Sequence, residues 1–282
     1  MKTLILYVFH QECENLDVFI KRGLIDSPDM TFVFISNNLE PNLDRWKFID
    51  EHSNVHLYIR QNIGHDFQGW NEVLFLPLKV LDQKIIYSKE TELDNSALHT
   101  LYDRFVCINS TVSGPYLPLY VQNNWVDCFT SRLSTDVKLV GISANFMGGK
   151  FNPHIYSIIR RFYKIDPKDS VHIQSMAFCL DREGLDILIK YRLFYSGKQF
   201  PRNKMVLIYT CEIAMSSILR HEQKSLFSFM AGQGLINLKT TQEENDIWNI
   251  AMSFPLYEFM FVKANRGIVF PEKDRYLCDR SV

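Results

Sequence analysis

The feature that most constrains this fold is a series of short, continuously apolar runs separated by stretches of helical spacing. The runs are residues 4–9, 32–35, 55–59 and 105–108. Apolar runs this short, with no polar alternation, suit strands buried on both faces of a sheet. Between the first two, Leu16, Phe19 and Ile20 share one helical face over residues 15–23, and Gly23 stops the pattern. Residues 44–51 read as a short helix. After the third run, residues 69–81 place Val73, Leu74, Leu78 and Leu81 on one side. Strands alternating with helices predict an α/β fold: a mostly parallel central sheet flanked by helices.

Further along, the pattern loosens. Residues 84–100 are polar and read as a loop, or as a hairpin around Ile85-Ile86-Tyr87. A strand is expected at 138–142 and another at 171–180, with helices at 182–191 and 211–221. Pro115 to Pro118 reads as a turn, and Gly148-Gly149 with Asn152-Pro153 as a loop. Nothing resembles a linker between independent units, so the 282 residues are expected to form a single domain.

Net charge is −1, which gives no basic field for nucleic acid or an anionic membrane. Any phosphate must be held by local geometry. The six cysteines include no Cys-x-x-Cys pair, which argues against a zinc site. Cys107, Cys179 and Cys211 lie in apolar surroundings and read as small buried hydrophobes in a reducing compartment. The first apolar run is too short for a signal or a membrane span, and no later stretch is apolar enough. A cytoplasmic protein with no transmembrane segment is the expectation.

Two strand ends carry the most chemical information. Residues 55–59 run into Asn62-Ile63-Gly64-His65-Asp66-Phe67-Gln68-Gly69-Trp70-Asn71, and residues 105–108 end in Asn109-Ser110-Thr111. A strand that turns through Asn-x-Gly into a helix sets backbone N–H groups and short polar side chains at the carboxyl end of a sheet, where open α/β folds bind nucleotides.

These residues resemble a known group. Asn62-x-Gly64 followed by Asp66 and Asn71 is similar to a signature of GT-A glycosyltransferases. More closely, Asn62-Ile63-Gly64-His65-Asp66-Phe67 is similar to the Asn-x-Gly-x-Asp-Phe of rhamnan-synthesis and capsule-type glycosyltransferases of bacteria and large DNA viruses. Asn109-Ser110 before Gly114-Pro115, His172-Ile173-Gln174-Ser175-Met176, Glu212 opening a helix, and Lys263-Ala264-Asn265-Arg266 follow in the same order. The resemblance spans about residues 3–270. It implies a GT-A-like domain in which residues 1–145 bind a nucleotide sugar, while 146–282 bind a saccharide acceptor and carry the tail. It also implies transfer of a sugar from a nucleotide-diphosphate donor, with inversion.

The resemblance assigns roles to particular residues. Asn62, Gly64, Asp66, Asn109, Ser110, Lys263 and Arg266 are expected to bind the donor, and His172 and Gln174 the acceptor. Glu212 is expected to take the acceptor proton. Each has a plainer reading. Asp66 suits a helix cap, Glu212 a stabilised charge at a helix N-terminus, His172 a structural histidine, and Lys263, Arg266 and Lys273 a solvated tail. His65 reads as a solvent-facing loop residue, and Trp70 and Trp125 as core.

One departure concerns metal. GT-A enzymes commonly carry Asp-x-Asp where this chain has Asn109-Ser110-Thr111. Carboxylates hold Mg²⁺ or Mn²⁺, whereas an amide and hydroxyls bind such cations weakly. A divalent cation is therefore not supported by the motif, and no metal ligand is assigned. The missing acids also support an alternative, a saccharide-binding protein of the same fold without activity. A sugar-phosphate nucleotidyltransferase is disfavoured. Its glycine-rich basic loop would fall at His10-Gln11-Glu12-Cys13-Glu14, which is acidic and glycine-free.

Overall fold

The computed structural model describes residues 1–90, 97–146, 152–167, 171–229, 234–236 and 260–263. In chain order, the first half contains β1 (Thr3–Phe9), α1 (Glu14–Gly23), β2 (Met30–Ser36), β3 (Val55–Ile59), α2 (His65–Leu74), β4 (Ile85–Tyr87), β5 (Arg104–Asn109), β6 (Val112–Ser113), α3 (Trp125–Thr130) and β7 (Val137–Gly141). The second half contains β8 (Ala144–Phe146), α4 (Asn152–Tyr163), β9 (Val171–Ile173), β10 (Ala177–Asp181), α5 (Arg182–Lys190), α6 (Lys204–Leu207), α7 (Ala214–His221), β11 (Ser225–Ser228), β12 (Gly234–Ile236) and β13 (Val262–Lys263).

A nine-stranded sheet has the order β12-β11-β7-β10-β5-β1-β2-β3-β4. All its strands except β10 and β12 run in one direction. The expected α/β class with a mostly parallel sheet is what the chain adopts. Every residue of β1, β3 and β7 is buried, as strands covered on both faces require. One core packs Leu4, Leu6 and Val8 against Trp70 and Val73 of α2 and against α5 and α7. The other packs Ile5, Tyr7 and Phe9 against Leu16 and Phe19 of α1, Trp46, and Trp125 and Phe129 of α3. Trp70 and Trp125 are thus core residues. Cys107, Cys179 and Cys211 are buried and unbridged.

Several expected boundaries differ for identifiable reasons. The short helix expected at 44–51 is present as a 3-10 helix over Leu43–Glu51. The helix expected at 69–81 begins earlier, at His65, and ends at Leu74. Its first turn holds a single apolar residue, Phe67, among His65, Asp66 and Gln68, so apolar spacing does not reveal it. Pro77 prevents continuation, and a separate 3-10 turn covers Leu78–Asp82. Ile85–Tyr87 is not a hairpin; it pairs parallel with β3 as the edge strand. Asn152-Pro153 opens α4 instead of a loop, since proline is tolerated in a first helical turn. Ile155, Ile159 and Tyr163 then form its buried face.

Two corrections bear on function. Residues 171–180 are not one strand. The chain bends at Gln174-Ser175-Met176, so β9 pairs with β8 in a separate ribbon while β10 joins the main sheet. The helix expected to begin at Cys211 begins at Lys204. It runs through a π-helical turn over Ile208–Ile213 into α7. Glu212 is therefore mid-helix and not at an N-terminus. No helix among the described residues is long and apolar enough to cross a membrane.

Candidate functional site

The parallel strands end together on one rim. β1 lies between β2, reached in one direction, and β5, reached in the other. That reversal of winding makes the carboxyl ends of β1 and β5 a topological switch point, the position where open α/β sheets bind ligands. Side chains from distant segments meet there. His10 Nδ1 lies 3.1 Å from the Asn37 carbonyl, which links the ends of β1 and β2. Asn15 Nδ2 donates to the Ser110 carbonyl at 2.9 Å, which ties the start of α1 to the end of β5.

Asp66 and Asn109 stand at the centre. Asn109 Nδ2 donates to Asp66 Oδ2 at 2.8 Å. A carboxylate only accepts, so this contact fixes the orientation of the Asn109 amide. Its Oδ1 is then occupied by the backbone N–H of Thr111 at 3.1 Å and by the Thr111 hydroxyl. The Asn109 N–H donates to the Met176 carbonyl at 2.9 Å. Burial raises the Asp66 carboxyl above the ordinary carboxylate range. The Asn109 hydrogen bond and the charges of His65, Lys204 and Arg60 oppose that rise without cancelling it. Asp66 lies within the first turn of α2, whose N-cap is Gly64, so its side chain does not serve as the cap.

Gly64 has φ +72°, in the left-handed region. A Cβ there would also lie 2.8 Å from Gln68 Cβ and 2.9 Å from Phe200 Cβ, so only glycine fits the turn. Asn62, expected at the donor, is exposed beside it. The residue that braces the turn is Arg60, 2% exposed. Its guanidinium donates to Glu72 at 2.7 Å, to Asn37 Oδ1 and to the Ile63 carbonyl. Sequence reading missed it, because an arginine just past an apolar strand resembles any surface cation.

The same face of α2 is stitched to residues 195–202. Asn71 exchanges two 3.0 Å hydrogen bonds with the backbone of Tyr195. Gln68 donates to the Lys198 carbonyl at 3.0 Å and accepts from the Phe200 N–H at 2.9 Å. His65 Nε2 lies 3.1 Å from the Arg202 carbonyl, so it is the first residue of α2 and not a loop residue. The spacing 65, 68, 71 follows one helical face. Immediately beyond, Asn203 caps α6 by accepting from Met205 and Val206.

Glu212 is carried by the π-helical turn that follows α6. The Tyr163 hydroxyl donates to the Thr210 carbonyl within that turn. Glu212 Oε2 accepts from the Ser175 N–H at 2.8 Å and from the Ser175 hydroxyl; its Oε1 lies 3.3 Å from His172 Nε2. Burial pushes this carboxyl up. The His172 contact and the two Ser175 hydrogen bonds outweigh burial, so it stays below its ordinary value. His172 is 1% exposed and packed against Glu212. Gln174, the first residue of the bend, is buried and accepts from the Ser143 hydroxyl at 2.7 Å. The two do not alternate along one strand, and neither lies on open surface.

Ser110 is partly exposed directly after Asn109. Lys263 in β13 pairs with Val112, three positions past Asn109. Asp66, Asn109 and Ser110 therefore meet at one rim of the main sheet, while Lys263 lies in a separate ribbon of β13 on β6; the Ser175–Met176 bend connects that rim to Glu212. Arg266 and Lys273 lie outside the described residues.

The donor set does not fit the paired-acid metal site of GT-A enzymes. The Asn109 oxygen is committed to Thr111, and Asp66 is the one carboxylate among the described residues that bonds to the end of β5. The fold and site define an α/β protein with polar side chains gathered at a switch point of its sheet. Neither a scan against protein-family models nor a search of curated proteins returns a match.

Proposed function

We propose that the protein is a GT-A-type glycosyltransferase that moves a sugar, with inversion, from a nucleotide-diphosphate donor to a saccharide acceptor. The observation that carries this reading is the Asp66–Asn109 contact at the switch point between the ends of β1 and β5. Open α/β sheets bind nucleotides at this kind of position. The Gly64 turn sets the start of α2, and with it Asp66, beside the end of β5. Ser110 offers a hydroxyl to diphosphate oxygens, and Lys263 enters this reading through the pairing of β13 with β6, just past the end of β5. Hydrogen bonds and fixed charge, preorganised around the leaving group, replace the missing acid pair. Arg266 enters this reading through its place in the sequence alone.

The test is incubation with UDP-, GDP- and dTDP-sugars, scored for donor hydrolysis or transfer and for thermal stabilisation. The expected result is turnover with at least one donor and a raised melting temperature with its nucleotide. No turnover and no shift with any of them contradicts the proposal.

A further inference from the structure

We infer that Asp66, and not Glu212, takes the proton from the acceptor hydroxyl; this assignment rests on the transfer reaction proposed above. Two carboxylates are candidates for this role, and their surroundings differ. Both oxygens of Glu212 are engaged, Oε2 by the N–H and hydroxyl of Ser175 and Oε1 by His172. A carboxylate so fully supplied with donors has little capacity to accept a further proton. Asp66 accepts one hydrogen bond, from Asn109 to Oδ2, and among the described residues Oδ1 accepts none.

Position points the same way. Asp66 is half-buried at the switch-point rim, on the first turn of a helix locked to the sheet by Arg60 and to residues 195–202 by Gln68 and Asn71. Its raised carboxyl pKa and the lowered one of Glu212 separate the two acids in the sense that acid–base chemistry requires. A base nearer the working pH accepts a proton more effectively.

The step balances without a further reactant. The acceptor oxygen forms a bond to the sugar C1. The bond from C1 to the phosphate oxygen breaks, and its electron pair leaves on the diphosphate. The acceptor proton passes to Asp66 Oδ1. Asn109 is a positioning residue, holding the carboxylate by its other oxygen while Thr111 holds Asn109. Glu212 is also a positioning residue. It anchors Ser175, at the bend whose Met176 carbonyl receives the Asn109 N–H.

The test compares wild type, Asp66→Asn and Glu212→Gln in three measurements: affinity for nucleoside diphosphates by calorimetry, kcat against pH with saturating donor, and melting temperature. Asp66→Asn is expected to bind the diphosphate as wild type does and to lose ~10²–10⁴-fold in kcat. The acid limb of the kcat profile should disappear with it. Glu212→Gln is expected to keep that limb while melting lower. The assignment is overturned if Asp66→Asn keeps kcat within about tenfold of wild type, a loss far smaller than a general base accounts for. It is also overturned if only the donor KM rises, or if the limb disappears in Glu212→Gln instead. Failure of wild type to bind any nucleoside diphosphate removes the function reading itself, in a separate measurement.

Discussion

The carboxyls of Asp66 and Glu212 are displaced in opposite directions from their ordinary range, and stability should report it. The folded-state pKa of Asp66 is raised, so its contribution is fully present below the unfolded value near ~3.9 and is lost as pH rises through the folded value. At neutral pH the ionised group therefore costs stability. Asp66→Asn should stabilise the protein by about 1 kcal/mol in urea titration, the reverse of its effect on turnover. The folded-state pKa of Glu212 is lowered, so its contribution is present above about 4.3 and is lost as pH falls through the folded value. Glu212→Gln should cost ~1–3 kcal/mol at neutral pH, and the difference should shrink under acid. Arg60→Met should cost more, ~3–5 kcal/mol, because it leaves Glu72 without its buried partner and frees the Asn62–Gly64 turn. Denaturant midpoints for the three variants check all of this. Asp66, Gly64 and Asn109 were legible in the sequence because strand-end motifs are local. Arg60 was not, since its partners Asn37 and Glu72 lie in different elements.

At the scale of elements, two features carry the geometry of the site. The first is the α2 stitch. Asn71→Leu keeps the side-chain size while leaving the Tyr195 N–H unpaired and its carbonyl with the Lys198 N–H alone. It should cost ~2–4 kcal/mol and speed amide exchange across residues 195–202 while leaving β1 protected. Exchange that rises equally everywhere would contradict a local stitch. The second is the π-helical turn. An uninterrupted α-helix would aim Glu212 elsewhere, and Tyr163→Phe, which removes the donor to the Thr210 carbonyl, should cost ~1–3 kcal/mol. The strands of the first half were readable because continuous burial writes itself as apolar runs. The start of α2, the onset of α6 and the bend after β9 were not. A first turn with a single apolar residue has no periodicity, a π-helical turn shifts the apolar phase, and the bend at Gln174–Met176 is made by contacts with Ser143, Glu212 and Asn109 that lie far away in sequence.

For the whole molecule, the two cores on opposite faces of the sheet fix the strands, and the strands fix the rim. The proposed function is placed where the winding reverses, because neighbouring connections leave in opposite directions there, the position at which open α/β sheets take their ligands. Alternation of strand and helix predicted that rim; the long-range contacts determine which side chains occupy it. A crystal structure of the protein with the nucleoside diphosphate that binds it most tightly tests this account most directly. The account predicts the diphosphate between the ends of β1 and β5, beside Gly64, Ser110 and Lys263, with Asp66 directed at the place of the transferred sugar. A nucleotide seated away from that rim would contradict it.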